Sequence, residues 1–110
     1  MIRTFVLLFS LCGVSSVSAE MLVYVGTYTR GSSEGIYVSR FNPETGELSE
    51  PILAAEAENP SFVTLHPTRP LLYAVSEVSS DGPDSVGIMA FAINDDGTLR
   101  KLNERSSGGG

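Results

Sequence analysis

The chain has 110 residues, 42% of them hydrophobic and 18% charged, a size and balance that suit one small globular unit. Seven basic residues against thirteen acidic ones give a net charge of -6, which argues against nucleic acid or an anionic membrane surface as a partner. The acids are scattered and read as solvated faces, not as an acidic tail.

Residues 1–19 read as an export signal. Arg3 is the charged start, residues 5–14 form an apolar core, and Val17-Ser18-Ala19 supplies small residues for cleavage after Ala19. The apolar run falls short of the ~20 residues that span a bilayer. A lipoprotein anchor on Cys12 is the rival reading, and bulky Leu11 stands where such signals want a small residue. The expected product is therefore exported, periplasmic or secreted, and not held at a membrane once the signal is removed. Cleavage takes away the single cysteine, so the mature segment, residues 20–110, has neither a disulfide nor a thiolate metal site.

Leu22 to Tyr28 is the first predicted strand, by its β-branched and aromatic content. A polar connection over 29–34 leads to a strand at Gly35–Phe41. Alternation puts Ile36, Val38 and Arg40 on one face of it and Tyr37, Ser39 and Phe41 on the other. Asn42-Pro43-Glu44-Thr45-Gly46 is a turn, and the chain returns over Glu47–Ala55, where Pro51 marks an edge or a bulge. After a loop at 56–60 come short strands at Ser61–His66 and Leu71–Val78, joined by Pro67-Thr68-Arg69-Pro70. A Gly/Pro/Asp loop over 79–85, a strand at Val86–Ile93, a turn at 94–97 and a strand at Thr98–Arg105 complete the pattern, and 106–110 is a loop. No stretch carries an extended helical period. Seven strands joined by short turns make an all-β antiparallel meander.

The meander repeats itself. Gly35-Ile36…Asn42 is echoed 52 residues on by Gly87-Ile88…Asn94, and Val23-Tyr24-Val25-Gly26-Thr27 is echoed 49 residues on by Leu72-Tyr73-Ala74-Val75-Ser76. A period of roughly 50 residues is that of a propeller blade or a solenoid unit. Residues 61–105 make a full four-stranded unit, whereas 22–55 make only three strands. A closed ring can supply the missing strand from the far end of the chain, which favours a propeller. One unit and three quarters of another cannot close a ring, so the segment is expected to be the start of a longer array.

With the repeat in view, several phrases can be placed. Tyr24-Val25-Gly26-Thr27-Tyr28-Thr29, Gly35-Ile36-Tyr37-Val38, Asn42-Pro43-Glu44-Thr45-Gly46-Glu47-Leu48, Asn59-Pro60-Ser61-Phe62, Leu65-His66-Pro67 and Leu72-Tyr73-Ala74-Val75-Ser76-Glu77 occur in that order, before the exit Ser106-Ser107-Gly108-Gly109. The set resembles the N-terminus of the seven-bladed propeller lactonase family, which includes 6-phosphogluconolactonase and carboxy-cis,cis-muconate cyclase. Ser76 departs from the family's usual asparagine, and Thr68-Arg69-Pro70 from its usual Asp-Gly turn. The resemblance implies the first blade (three strands) and the second blade of a propeller. It implies hydrolysis of a sugar lactone or related cyclic ester as the activity. A non-catalytic exported propeller that binds protein or carbohydrate, and a muconate-type cycloisomerase, are the alternatives.

Strand polarity sorts the candidate residues. If Ser61–His66 runs down and Leu71–Glu77 runs up, then Asn59–Ser61 and the segment after Glu77 open on one face. Thr27, Tyr28 and Thr29 of the first unit join them. Glu77 is the candidate acid or base, with Thr27, Tyr28, Thr29, Asn59 and Ser61 as candidate substrate contacts. His66, the single histidine, falls at the opposite, turn end, where it is expected to order the turn. No nucleophile–base pair, metal cluster or phosphate loop can be assembled from these residues, Asp81 and Asp84 lack calcium-loop spacing, and no cofactor is expected. The cationic partner for a developing oxyanion, arginine or histidine, is expected from other blades.

Overall fold

A computed structural model describes residues 20–77 and 86–106. The export signal, the loop expected over 79–85 and the exit after Ser106 lie outside the described residues. Among the described residues there are eight strands: β1 (Met21–Val25), β2 (Gly35–Asn42), β3 (Glu47–Leu48), β4 (Ile52–Glu56), β5 (Val63–Leu65), β6 (Leu71–Glu77), β7 (Val86–Ile93) and β8 (Leu99–Ser106). They form two antiparallel sheets. In the first, β2 pairs with β1 on one side and with both β3 and β4 on the other; the second runs β5-β6-β7-β8.

The strand count differs from expectation because the predicted strand 47–55 is broken. Pro51 has no N–H to give the ladder, and the chain leaves the sheet for Ser49–Pro51 before rejoining it at Ile52. Ser49 covers part of the gap, its amide donating to the Arg40 carbonyl at 2.9 Å and its Oγ accepting from the Arg40 amide at 2.8 Å. Two more boundaries move. β1 ends at Val25 and leaves Thr27 and Tyr28 in a loop, while β5 begins at Val63 and leaves Ser61 in a turn.

The two sheets pack face to face around Ile36, Val38, Ala54, Leu72, Ala74, Met89, Phe91 and Leu99. Alternation explains the choice. Leu72 pairs with Phe91 and Ala74 with Met89, so all four point to one face, and Ile36 and Val38 share a face of β2. Phe91 is 1% exposed, and burying a side chain of that size stabilises by ~2–3 kcal/mol. The other face of the second sheet carries Phe62 and Ile88, which are 58% and 46% exposed.

The hairpin turns close as their residues require. Gly46 and Gly97 sit at φ values of 78° and 92°, which side chains with a Cβ rarely adopt. The Asn94–Thr98 turn also fastens the sheets together. Tyr24 Oη donates to the Gly97 carbonyl at 2.7 Å and Arg40 Nη2 donates to the Asp96 carbonyl at 3.2 Å. Burial pushes the Tyr24 phenol above its ordinary value, against a smaller pull from Arg40 and with a push from Asp96. The Asp96 carboxyl is held below the usual carboxylate range, first by the Thr98 hydroxyl, which donates to it at 2.5 Å.

Candidate functional site

At the other end of the sheets, past the end of β1 and β6, the loops meet. Gly26 begins the meeting, because the Pro60 carbonyl lies where any Cβ at this position would stand. Thr27 Oγ1 then donates to the Gly35 carbonyl at 2.7 Å and closes the neck of the 28–34 loop. On the facing side, Asn59 takes a left-handed φ of 46°, a conformation asparagine tolerates better than most residues. Pro60 is buried behind it. The turn delivers Ser61 back toward β6, with the Ser61 amide donating to the Asn59 carbonyl at 2.8 Å.

Asn59 joins the two sides. Its Oδ1 accepts from the Thr29 amide at 2.7 Å and from Thr29 Oγ1 at 3.1 Å, and its own amide donates to Thr29 Oγ1 at 3.1 Å. Its Nδ2 donates to the Glu77 carbonyl at 2.7 Å, and its carbonyl accepts from the Glu77 amide at 3.1 Å. Only 6% of Asn59 is exposed. Beside it, Ser76 Oγ donates to the Glu58 carbonyl at 3.0 Å. The departure from the family's asparagine thus still serves this turn.

The Glu77 side chain ends the network. Ser61 Oγ and Tyr28 Oη both donate to its Oε2, the latter at 3.3 Å. Arg30 lies over the other part of Tyr28, with Cζ 5.4 Å from the ring centroid, a cation–π contact. The rim therefore holds a carboxylate with two hydroxyls aimed at it, and a guanidinium behind the phenol.

Of the six candidate positions, Tyr28, Thr29, Asn59, Ser61 and Glu77 fall into this one network, and Thr27 stands a residue away, bonded to the neck. His66 lies at the far end of β5. There its Nδ1 accepts from the amides of Thr68 and Arg69, both at 3.2 Å, and its ring is tilted against Tyr73. Among the described residues, no cluster of three or more His, Cys, Asp or Glu side chains could hold a metal ion. No helix among them is long and apolar enough to cross a membrane.

Residues 22–110 match the family model described as lactonase, 7-bladed beta-propeller. The chain belongs to this lactonase family. A curated relative, the 6-phosphogluconolactonase of Bacillus subtilis (strain 168), is 40% identical over 83 residues, which is 74% of this chain and 23% of that protein. Among solved structures, a 6-phosphogluconolactonase candidate from Bacteroides fragilis is 41% identical with a TM-score of 0.71, covering 84% of this chain and 25% of its own. The periplasmic gluconolactonase of Pseudomonas aeruginosa is 31% identical with a TM-score of 0.69, over 78% of this chain and 24% of that one. The lactonase chain thus spans about a quarter of the length of the relatives it matches. Its all-β antiparallel sheets are propeller blades.

One feature of this lactonase rim has no signal in the sequence: Arg30 reads as part of a polar connection, and only the fold lays it on Tyr28. Asn59 reads as a candidate substrate contact, whereas its side-chain amide is bonded to Thr29 and Glu77.

Proposed function

We propose that the full-length protein is an exported lactonase that opens a sugar lactone, of the 6-phosphogluconolactone kind, by water attack. Glu77 is the general base. It takes a proton from water as the oxygen bonds to the ester carbonyl carbon. The tetrahedral intermediate then expels the ring oxygen, which leaves with a proton, and the product is the open hydroxy acid. Ser61 and Tyr28 orient the carboxylate through Oε2, and Thr27 and Thr29 line the same rim. A donor for the oxyanion comes from blades outside this segment.

The observation that carries the proposal is the carboxylate of Glu77 held by two hydroxyls at the rim where the loops of two lactonase blades converge. The relatives' names support a sugar lactone as substrate. Export rests on residues 1–19, and the periplasmic setting named for the Pseudomonas aeruginosa relative supports it. The acidic balance supports a small-molecule substrate over nucleic acid.

Assay of the full-length protein against a panel of sugar lactones tests the proposal. Ring opening above the spontaneous rate is expected, and Glu77→Gln should lower turnover ~100-fold or more while leaving the melting temperature nearly unchanged. Wild-type hydrolysis no faster than background would defeat the lactonase reading. A Glu77→Gln protein with normal turnover would remove Glu77 from the chemistry.

A further inference from the structure

We infer that Asn59 is a positioning residue, which sets the Glu77 carboxylate by clamping the first blade's rim loop to the end of β6 and contacts no substrate itself. The inference rests on the lactonase reading for its kinetic consequence, but its structural content stands alone. Asn59 holds the peptide of Glu77 from both sides, accepting its N–H at 3.1 Å and donating to its carbonyl at 2.7 Å. The two hydroxyls that hold the carboxylate hang from the same residue. Ser61 follows two positions on, its amide bonded to the Asn59 carbonyl at 2.8 Å. Tyr28 immediately precedes Thr29, whose amide and hydroxyl both donate to Asn59 Oδ1.

Burial supports the assignment. At 6% exposure Asn59 presents almost no surface to a ligand, and a buried amide is costly to leave unpaired. The left-handed φ of 46° adds a reason for asparagine: the position accepts glycine or asparagine readily, and of these only asparagine brings a side chain that donates and accepts at once. Aspartate would keep the acceptor for Thr29 and lose the donor for the Glu77 carbonyl. The neighbouring glycine makes the clamp possible, since a Cβ on Gly26 would collide with the Pro60 carbonyl and push the turn away.

Asn59→Gly is the variant of choice, because it keeps the backbone conformation and removes the side chain. In the full-length protein, kcat per folded molecule should fall ~10-fold or more, since small misplacements of a catalytic group are costly, while KM stays nearly constant. In a Glu77→Gln background the same change should have little further effect on kcat, because the group it positions is already gone. Asn59→Asp should recover part of the loss by restoring the hold on Thr29. Crystal structures of the wild type and Asn59→Gly give a reading independent of activity: the Glu77 carboxylate should part from Ser61, from Tyr28, or from both. Equal losses of kcat in the two backgrounds would overturn the inference. So would an Asn59→Gly structure in which Glu77 keeps both hydroxyls. A wild type that opens no lactone defeats the lactonase reading only, and the crystal structures then decide the clamp.

Discussion

Replacing Tyr24 with phenylalanine tests the fastening between the two blades. The change removes one hydroxyl from a half-buried ring, and with it the 2.7 Å bond to the Gly97 carbonyl. A net hydrogen bond contributes ~1 kcal/mol, and because Gly97 is buried the abandoned carbonyl raises the cost to ~1–2 kcal/mol. The variant should therefore unfold in urea at a lower midpoint with an unchanged slope at pH 7. The difference should also depend on pH. Burial raises the Tyr24 phenol, Arg40 counters it and Asp96 adds to it, so the folded protein holds this proton more tightly than the unfolded chain does. That stability is fully present below the ordinary phenol value of ~10 and is lost as pH rises through the folded value. Phenylalanine cannot lose a proton. The gap between wild type and variant should thus be constant from pH ~8 to pH ~9 and narrow as pH rises past ~10 toward ~11. Circular dichroism of full-length wild type and variant across that range is the assay, and comparing the two proteins cancels the other tyrosines and the lysines. Equal stability at pH 7, or a gap that stays constant or widens toward high pH, would refute the reasoning.

His66→Ala should cost ~1 kcal/mol through the lost contacts of Nδ1 with Thr68 and Arg69, with turnover per folded molecule unchanged. A normal melt with abolished activity would move the site to the turn end of the blades. Gly26→Ala should displace Pro60 and the turn behind it, costing ~1–3 kcal/mol in overpacking and lowering turnover through Asn59 and Ser61. Full turnover at wild-type stability would show that the rim tolerates the shift.

Strand positions were legible because they rest on local chemistry. Ile36, Val38, Leu72, Ala74, Met89 and Phe91 alternate with less buried neighbours, and the two-residue period places them on the core face whatever the rest of the chain does. Boundaries were less legible where one residue overrides its neighbours. Tyr24 and Tyr28 look alike in a strand-forming run, yet the approach of Pro60 at Gly26 turns the chain out of the sheet between them. Pro51 marks an edge, and the segments on either side of it, β3 and β4, do pair with β2 alone among the described strands; the break between them is the part that the sequence does not show, since Ser49 can replace a ladder partner with its side chain. At the rim, polarity alone grouped Glu77 with Asn59 and Ser61, because the end of a strand and the start of its antiparallel neighbour must coincide. The bond from Tyr28 to Glu77 spans 49 residues. The stacking of Arg30 on Tyr28 depends on rotamers that only packing selects.

The 28–34 loop has a pinned neck and an open tip. Thr27 bridges to Gly35, Thr29 is held by Asn59, and Glu34 is held on the far leg by the Tyr37 hydroxyl at 3.1 Å and by the Ala57 amide at 3.2 Å. A Cβ on Gly31, at the tip, would meet nothing within 4 Å. Lengthening a loop whose ends are already fixed costs only ~0.6 kcal/mol for each doubling. Insertions between Arg30 and Ser33 can therefore change what overhangs the mouth while Thr29 stays in place. The neck therefore divides the loop into a base of fixed geometry and a crown whose length and composition can change without disturbing it.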